Sequence, residues 1–418
     1  MNKSNYLFVF LFSSLCFFRS NAQSDKCGTM QHSQYMLSKH PELLEARKQG
    51  EIKAQSYELS LSAEQQLGII TIPVVVHVVY NTGVQNISDA QVQSQIDALN
   101  RDYRKLNADT TQIPSPFKSK AADIGFEFCL AKKDPSGKDT NGITRTYTST
   151  TEFGYDDQVK YTISGGQDGW NSSKYLNIWV CNLGSSLYGF STFPYDLAAA
   201  PSADGVVINY YAFGTMGSAI SPSNLGRTAT HEIGHWFNLI HIWGDDGSAC
   251  TGSDSVADTP NQASAHFGCL LTYPTTDACT TTAPGIMYMN YMDYGDDPCL
   301  VMFTNGQAVR MLSAVNTYRS AILNTTLCTG PSGIYELSKG LFSVYPNPSN
   351  GQFTVKSTLP VNAIDVSNVI GQSVYQQNYG ATHSSVIDLN LSDIIPGIYF
   401  IKISTEGGYS VQKVMINH

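Results

Sequence analysis

Residues 231–241 read His-Glu-Ile-Gly-His-Trp-Phe-Asn-Leu-Ile-His. Two histidines four apart on a helix share one face, so His231 and His235 can offer their imidazoles to a single metal ion. Glu232 lies one residue round the helix, beside that face, where it can accept a proton from a metal-bound water. A catalytic zinc takes three protein ligands and leaves the fourth place to water. His241, six residues beyond His235, supplies the third ligand only if the helix breaks and the chain turns back. Asn238 is the natural break, because Asn tolerates the left-handed backbone better than any residue but Gly. The pattern predicts a helix over about 224–238 and a reversal that brings His241 to the other two histidines.

The rest of the chain narrows the context. Its 418 residues suit two or three domains. Charged residues make up only 14%, with Gly, Ser, Thr, Asn and Tyr in their place, as in many extracellular β-rich proteins. A net charge of -9 without basic clusters argues against nucleic-acid binding and against docking on anionic membrane. Lys3, the apolar run 6–18 and the small residues Ser20-Asn21-Ala22 predict a secretory signal peptide over 1–22. That run is too short to anchor in a bilayer, and no later segment is apolar enough to span one. Of the nine cysteines, Cys16 leaves with the signal peptide. Cys250, Cys269, Cys279 and Cys299 cluster in a loop-rich stretch and predict two disulfides, although spacing does not choose among the three pairings. Cys129 and Cys181 lie in strand-like segments, as buried thiols or as a pair, and Cys328 is left over.

Residues 23–66 are polar, with a helix-forming run at 41–46, and lack the density of a core. The β-branched run 69–80 predicts a buried strand. Ser88 and Gln91 form a capping-box pair opening a helix whose apolar face carries Val92, Ile96, Leu99, Tyr103 and Leu106. Further strands are expected at 124–131, 175–181, 189–193 and 205–209, and a last helix from Thr304, capped with Gln307, to about 323. Strands and helices interleave, giving an α+β domain with a mixed, mainly parallel sheet. After a Gly/Pro/Ser linker at 329–340, residues 341–418 alternate as short strands and predict a small all-β sandwich.

The long motif resembles HExxHxxGxxH of the metzincins, with Asn238 in the usual Gly position, and Asn290-Tyr291-Met292-Asp293-Tyr294 matches their Met-containing turn. Within that group the chain is most similar to the pappalysin family, in its cytophagalysin-like branch. The strand IPVVVHVVY, FCLA at 128–131, YLNIWVCNL at 175–183 and VADTP at 256–260 extend the resemblance over about 69–328. It implies a metzincin-like catalytic domain over 67–328, preceded by a propeptide at 23–66. It implies that Met292 forms the apolar floor under the histidines and that Tyr294 hydrogen-bonds the tetrahedral intermediate. Gly189-Phe190-Ser191-Thr192 would be the edge strand that holds an extended peptide. The resemblance favours the pairs Cys250–Cys279 and Cys269–Cys299, and a calcium loop at Asp254, Val256 and Thr259. Cys27-Gly28-Thr29 resembles a latency element whose thiolate takes the fourth zinc position. Asp296 and Asp297 lie where metzincins build the pocket for the residue after the cut, so a carboxylate there would favour Arg or Lys. VYPNPSNGQFTV from Val344 and the closing GIYFIKIS…KVMIN stretch resemble the C-terminal sorting domain of type IX secretion cargo.

The expectation is a secreted or cell-surface, monomeric zinc endopeptidase acting on protein or peptide substrates, with Glu232 as general base and the type IX machinery as a partner. The competing class is a zinc-stabilised extracellular adhesin or binding protein without turnover, which would need the histidines but not Glu232.

Overall fold

A computed structural model describes residues 26–60, 69–270, 272–323, 326–328, 342–357, 360–369, 372–379, 386–405 and 408–417. The expected signal peptide, the expected linker and both ends of the expected propeptide lie outside them. The chain divides into two compact units, Met1–Cys328 and Thr329–His418.

The first unit opens with two helices, α1 (Thr29–Lys39) and α2 (Leu43–Ser60). The sheet follows: β1 (Ile70–Tyr80), then helix α3 (Asp89–Tyr103), β2 (Phe126–Leu130), β3 (Ile143–Tyr147), β4 (Leu176–Cys181), β5 (Gly189–Ser191) and β6 (Val206–Asn209). The strand order is β2-β1-β4-β6-β5, with β3 continuing along the edge of β1 beyond β2. All pairings are parallel except β5 with β6, so an antiparallel strand closes one edge. Because alternate residues of a strand face opposite ways, Ile72, Val74, Val76 and Val78 pack on one side, in the main core with α3 and with α4 (Arg227–Trp236) and α5 (Asn305–Tyr318). Val79 packs on the opposite side with Trp179, Phe190 and Val207.

Local expectations hold with three corrections. Ser88 caps α3 by accepting from the Gln91 backbone N–H, but the Gln91 carboxamide does not reach back. It donates instead to the Tyr210 and Phe213 carbonyls and to Ser218. Leu106 is 69% exposed, since the helix ends at Tyr103 before its face can recur. The 23–66 stretch, read as lacking a core, buries His32, Met36, Leu43 and Ala54 within the first unit. Its polar contacts include His32 Nε2 to Asp157 (2.9 Å) and the ion pairs Arg47–Asp196 (3.3 Å) and Glu51–Arg310 (2.7 Å). β3 was not foreseen. At Thr304 the capping box is complete.

The second unit is the expected antiparallel β-structure. One sheet orders β10 (Ser373–Asn378), β9 (Ala363–Asn368), β12 (Gly397–Thr405) and β13 (Gly408–Ile416). The other orders β11 (Val386–Asn390), β8 (Gln352–Ser357) and β7 (Phe342–Tyr345). Inward residues of both sheets, such as Val355, Leu389, Ile401 and Ile403, share one core. No helix among the described residues is long and apolar enough to cross a membrane.

Candidate metal centre

Helix α4 is buried along most of its length and carries His231, Glu232 and His235. It stops after Trp236, and Asn238 adopts φ 75°, the left-handed conformation expected for the reversal. The chain returns and brings the His241 ring to 5.2 Å from that of His231 and 4.7 Å from that of His235, centroid to centroid. Each ring is oriented from behind. His231 Nδ1 lies 2.7 Å from the Tyr291 carbonyl, His235 Nδ1 2.8 Å from the Leu239 carbonyl, and His241 Nδ1 2.8 Å from the Asp245 carboxylate. Protons on all three Nδ1 atoms leave three bare Nε2 atoms turned inward.

These residues fit a metal ion. His231 Nε2 and His235 Nε2 are 3.1 Å apart, close to the roughly 3.3 Å expected for two nitrogens in one tetrahedral zinc shell. His241 Nε2 is buried and has no hydrogen-bond partner, a costly state unless a ligand claims its lone pair. Burial lowers His231 to about 3 and His235 well below the usual imidazole range, so both are in the neutral form that binds metal. Cys27 Sγ lies with the three imidazoles in one group within 4.8 Å and could serve as a fourth donor. Burial, and then the neighbouring Glu232, push its thiol well up. A cation in the centre would invert that and favour the thiolate.

Glu232 stands beside this group. Its Oε2 accepts from the Thr29 hydroxyl at 2.8 Å and from Cys27 at 3.5 Å. Burial raises its carboxyl to about 8, against the lowering effect of those two bonds. Gly189 makes room for it: a Cβ there would come within 2.9 Å of Glu232 Cγ. Met292 is fully buried against α4, where its Sδ would lie 2.6 Å from a Cβ placed on Gly234. Tyr294 packs edgewise on the His241 ring at 5.0 Å and donates from its hydroxyl to the Cys27 carbonyl at 3.3 Å.

Residues 26–29 run parallel to β5 along its open edge. The Tyr188 N–H donates to Lys26, the Gly28 N–H to Gly189, each at 2.8 Å, and the Ser191 N–H to the Thr29 hydroxyl at 2.9 Å. Beside His231 and Glu232 opens a cleft that Lys26 lines together with Tyr188, Arg227 and Asp297. Lys26 Nζ reaches Asp296 at 3.0 Å. Asp297, rather than Asp296, lines the cleft, but its carboxylate accepts the Leu225 and Arg227 backbone N–H groups at the start of α4, and burial raises it to about 6. The two neighbours therefore differ in role: Asp296 meets a cation, while Asp297 holds backbone.

Away from the centre, the Thr259 hydroxyl sits 2.8 Å from both Asp254 Oδ1 and the Val256 carbonyl, so the three expected loop residues do converge. Burial raises Asp254 to about 7. The disulfides are Cys250–Cys279, Cys269–Cys299 and Cys129–Cys328. The first two are as expected, the third gives Cys328 its partner, and Cys181 is a buried free thiol. Lys26 and Asp245 were not singled out from the sequence, although Lys26 directly precedes the Cys27-Gly28-Thr29 stretch that was.

A carboxylate beside three converging imidazoles, on a helix lying under the open edge of a sheet, is the arrangement of a metal-dependent peptidase. Residues 155–316 match the family described as pregnancy-associated plasma protein-A, and residues 343–417 match the secretion system C-terminal sorting domain. An extracellular metalloprotease of Colletotrichum graminicola is 30% identical over 263 residues, covering 61% of this chain and 80% of the relative. One of Arthroderma otae is 33% identical over 257 residues, covering 60% and 80%. Among solved structures, mature mirolysin of Tannerella forsythia with a cleaved peptide is 53% identical, covers 62% of this chain and 97% of its own, and superposes with a TM-score of 0.60. A promirolysin mutant of the same organism is 48% identical, covers 72% and 97%, and gives 0.66. The chain belongs to the pregnancy-associated plasma protein-A family of metallopeptidases, the pappalysins. It is an exported metalloendopeptidase with a type IX sorting tail, and the adhesin reading without turnover falls away.

Proposed function

We propose that this chain is the latent form of a zinc endopeptidase in which His231, His235 and His241 hold the ion and Glu232 is the general base. The observation that carries the reading is the convergence of three imidazoles and the Cys27 sulfur on one point, with the Glu232 carboxyl group against it. Three nitrogens and a thiolate suit zinc, a borderline-soft cation. When bound, it acts as a Lewis acid and lowers the pKa of a coordinated water towards about 7.

The chain's own groups do the rest. Once residues 26–29 leave, the outward N–H and C=O groups of Tyr188, Gly189 and Ser191 are free to pair with an extended substrate. Glu232 loses its bonds to Thr29 and Cys27, takes a proton from the attacking water and passes it to the leaving amine. The Tyr294 hydroxyl, freed from the Cys27 carbonyl, donates to the developing oxyanion. Asp296, freed from Lys26, favours a basic side chain in the cleft. Residues 1–22 act as signal peptide, 23–66 as propeptide and 341–418 as the sorting domain. The oxygen cluster at Asp254, Val256 and Thr259 suits calcium. The enzyme is proposed to work as a monomer.

Replacing Glu232 with Ala in the processed enzyme should leave zinc bound and abolish digestion of unfolded casein. Wild-type turnover by that variant would overturn the assignment of the base. Replacing Cys27 with Ala should raise the activity of the unprocessed chain. No change there would remove the latency role.

A further inference from the structure

We infer that Asp245 is a positioning residue for the metal centre, the carboxylate that orients His241 and strengthens it as a donor; this rests on the zinc site proposed above. The three histidines are not held alike. His231 and His235 each face a neutral backbone carbonyl, and both acceptors are fixed by the fold whatever side chains those residues carry. His241 alone faces a carboxylate, with its Nδ1 at 2.8 Å from Oδ1 and 3.1 Å from Oδ2 of Asp245.

The backbone is shaped to make that contact. The Gly244 N–H closes a turn on the His241 carbonyl at 2.9 Å. Gly244 and Asp245 then both adopt positive φ, 72° and 52°, which folds the Asp245 side chain back onto the ring four residues earlier. A non-glycine residue in the left-handed region costs free energy, so the turn is maintained against a local penalty. Trp243 stacks flat on the ring at 4.2 Å with an interplanar angle of 7°, and Tyr294 meets it edge-on. Asp245 therefore completes a clamp. It fixes the proton on Nδ1, directs Nε2 to the centre and pushes electron density towards the ion, as carboxylates behind metal-bound histidines do. His241 needs the clamp most, because it follows the helix break and lacks the rigid α4 backbone that holds the other two ligands.

The test is metal binding by the full chain, read by zinc competition with a chelator and by the visible spectrum of the cobalt form. Asp245→Ala should weaken zinc binding by roughly 10–100-fold and shift the cobalt bands. Asp245→Asn, which keeps a neutral acceptor, should fall between it and the wild type. The unfolding midpoint of the metal-free Asp245→Ala chain should stay at the wild-type value. Zinc affinity within twofold of wild type for Asp245→Ala would overturn the inference. So would a drop in the metal-free midpoint matching that of the loaded form, since Asp245 would then serve the turn alone. His231→Ala is the control: if it too binds zinc like the wild type, the three-histidine site itself is wrong, and the failure is not that of Asp245.

Discussion

Glu51 and Arg310 meet in a two-pronged ion pair, with Arg310 Nη1 and Nη2 at 3.0 and 2.7 Å from the two carboxylate oxygens. The remaining guanidinium nitrogen, Nε, donates to the Asn238 carbonyl at 2.7 Å. One buried side chain on α5 thus holds both the N-terminal segment and the reversal that delivers His241.

Glu51→Gln should loosen the N-terminal segment without touching the reversal. Hydrogen bonds to charged partners contribute about 1.5–3 kcal/mol. Glu51 is itself a third exposed, which places the loss at the low end, about 1.5 kcal/mol or roughly tenfold in the opened population. Nicking of α2 by a trace of added protease follows that population when reclosing is fast, and it should speed up by about that factor. Arg310→Met should do the same and also destabilise the processed enzyme, which Glu51→Gln should not.

The sequence discloses what depends on near neighbours. A continuous β-branched run located β1 and helical spacing located α3, and a single Asn inside an otherwise helical motif announced the break at residue 238. β3 escaped because its residues are half exposed and polar, Ile-Thr-Arg-Thr-Tyr, so it carries no buried run. The docking of α1 and α2 escaped because it draws on polar contacts such as His32–Asp157 and Glu51–Arg310, whose partners lie far apart along the chain. A polar composition reads as loose until those partners are placed. Cys129–Cys328, separated by 199 residues, is hidden for the same reason. Asp245 lies close to the motif, yet only two successive left-handed residues turn it back, and no spacing rule predicts that.

Asn238 should tolerate Gly and little else. Its φ of 75° costs a Cβ-bearing residue about 1–2 kcal/mol, less for Asn, and Gly escapes the penalty. Denaturant unfolding should place Asn238→Gly within about 0.5 kcal/mol of wild type and Asn238→Val lower by about 2 kcal/mol. Because His241 hangs on this turn, Asn238→Val should also weaken zinc binding.

His77 makes the fold sensitive to acid. It is fully buried between Thr144 (2.7 Å from Nδ1) and Asn177 (3.1 Å from Nε2), and burial lowers it to about 4. A histidine whose folded pKa is depressed takes its proton more readily in the unfolded chain. Stability is therefore full above about 6.5, falls as pH drops from 6.5 to 4, and is flat below. At 1.36 kcal/mol per unit the contribution is about 3 kcal/mol. Urea midpoints measured from pH 7 to 4 should fall more steeply for wild type than for His77→Gln. Parallel curves would show that His77 does not contribute.

Gly234 and Met292 should prove coupled. The helix would gain propensity from Ala at 234, by up to about 1 kcal/mol, yet a Cβ there meets Met292 Sδ at 2.6 Å, with Leu239 Cδ1 at 3.5 Å on the other side. Met292 has nowhere to retreat: it is wholly buried, its backbone N–H is tied to Asn290 Oδ1 at 2.9 Å, and it packs in the main core. Overpacking of this kind costs about 1–3 kcal/mol, so Gly234→Ala should be net destabilising in the wild-type background. Met292→Ala opens a cavity at the same place and should cost about 2–5 kcal/mol alone. In the double variant the new methyl enters that space, the clash disappears and the helix gain remains. A double-mutant cycle on the unfolding free energy should therefore give a favourable interaction of about 1–3 kcal/mol, and simple additivity would show that Met292 does not pack under Gly234.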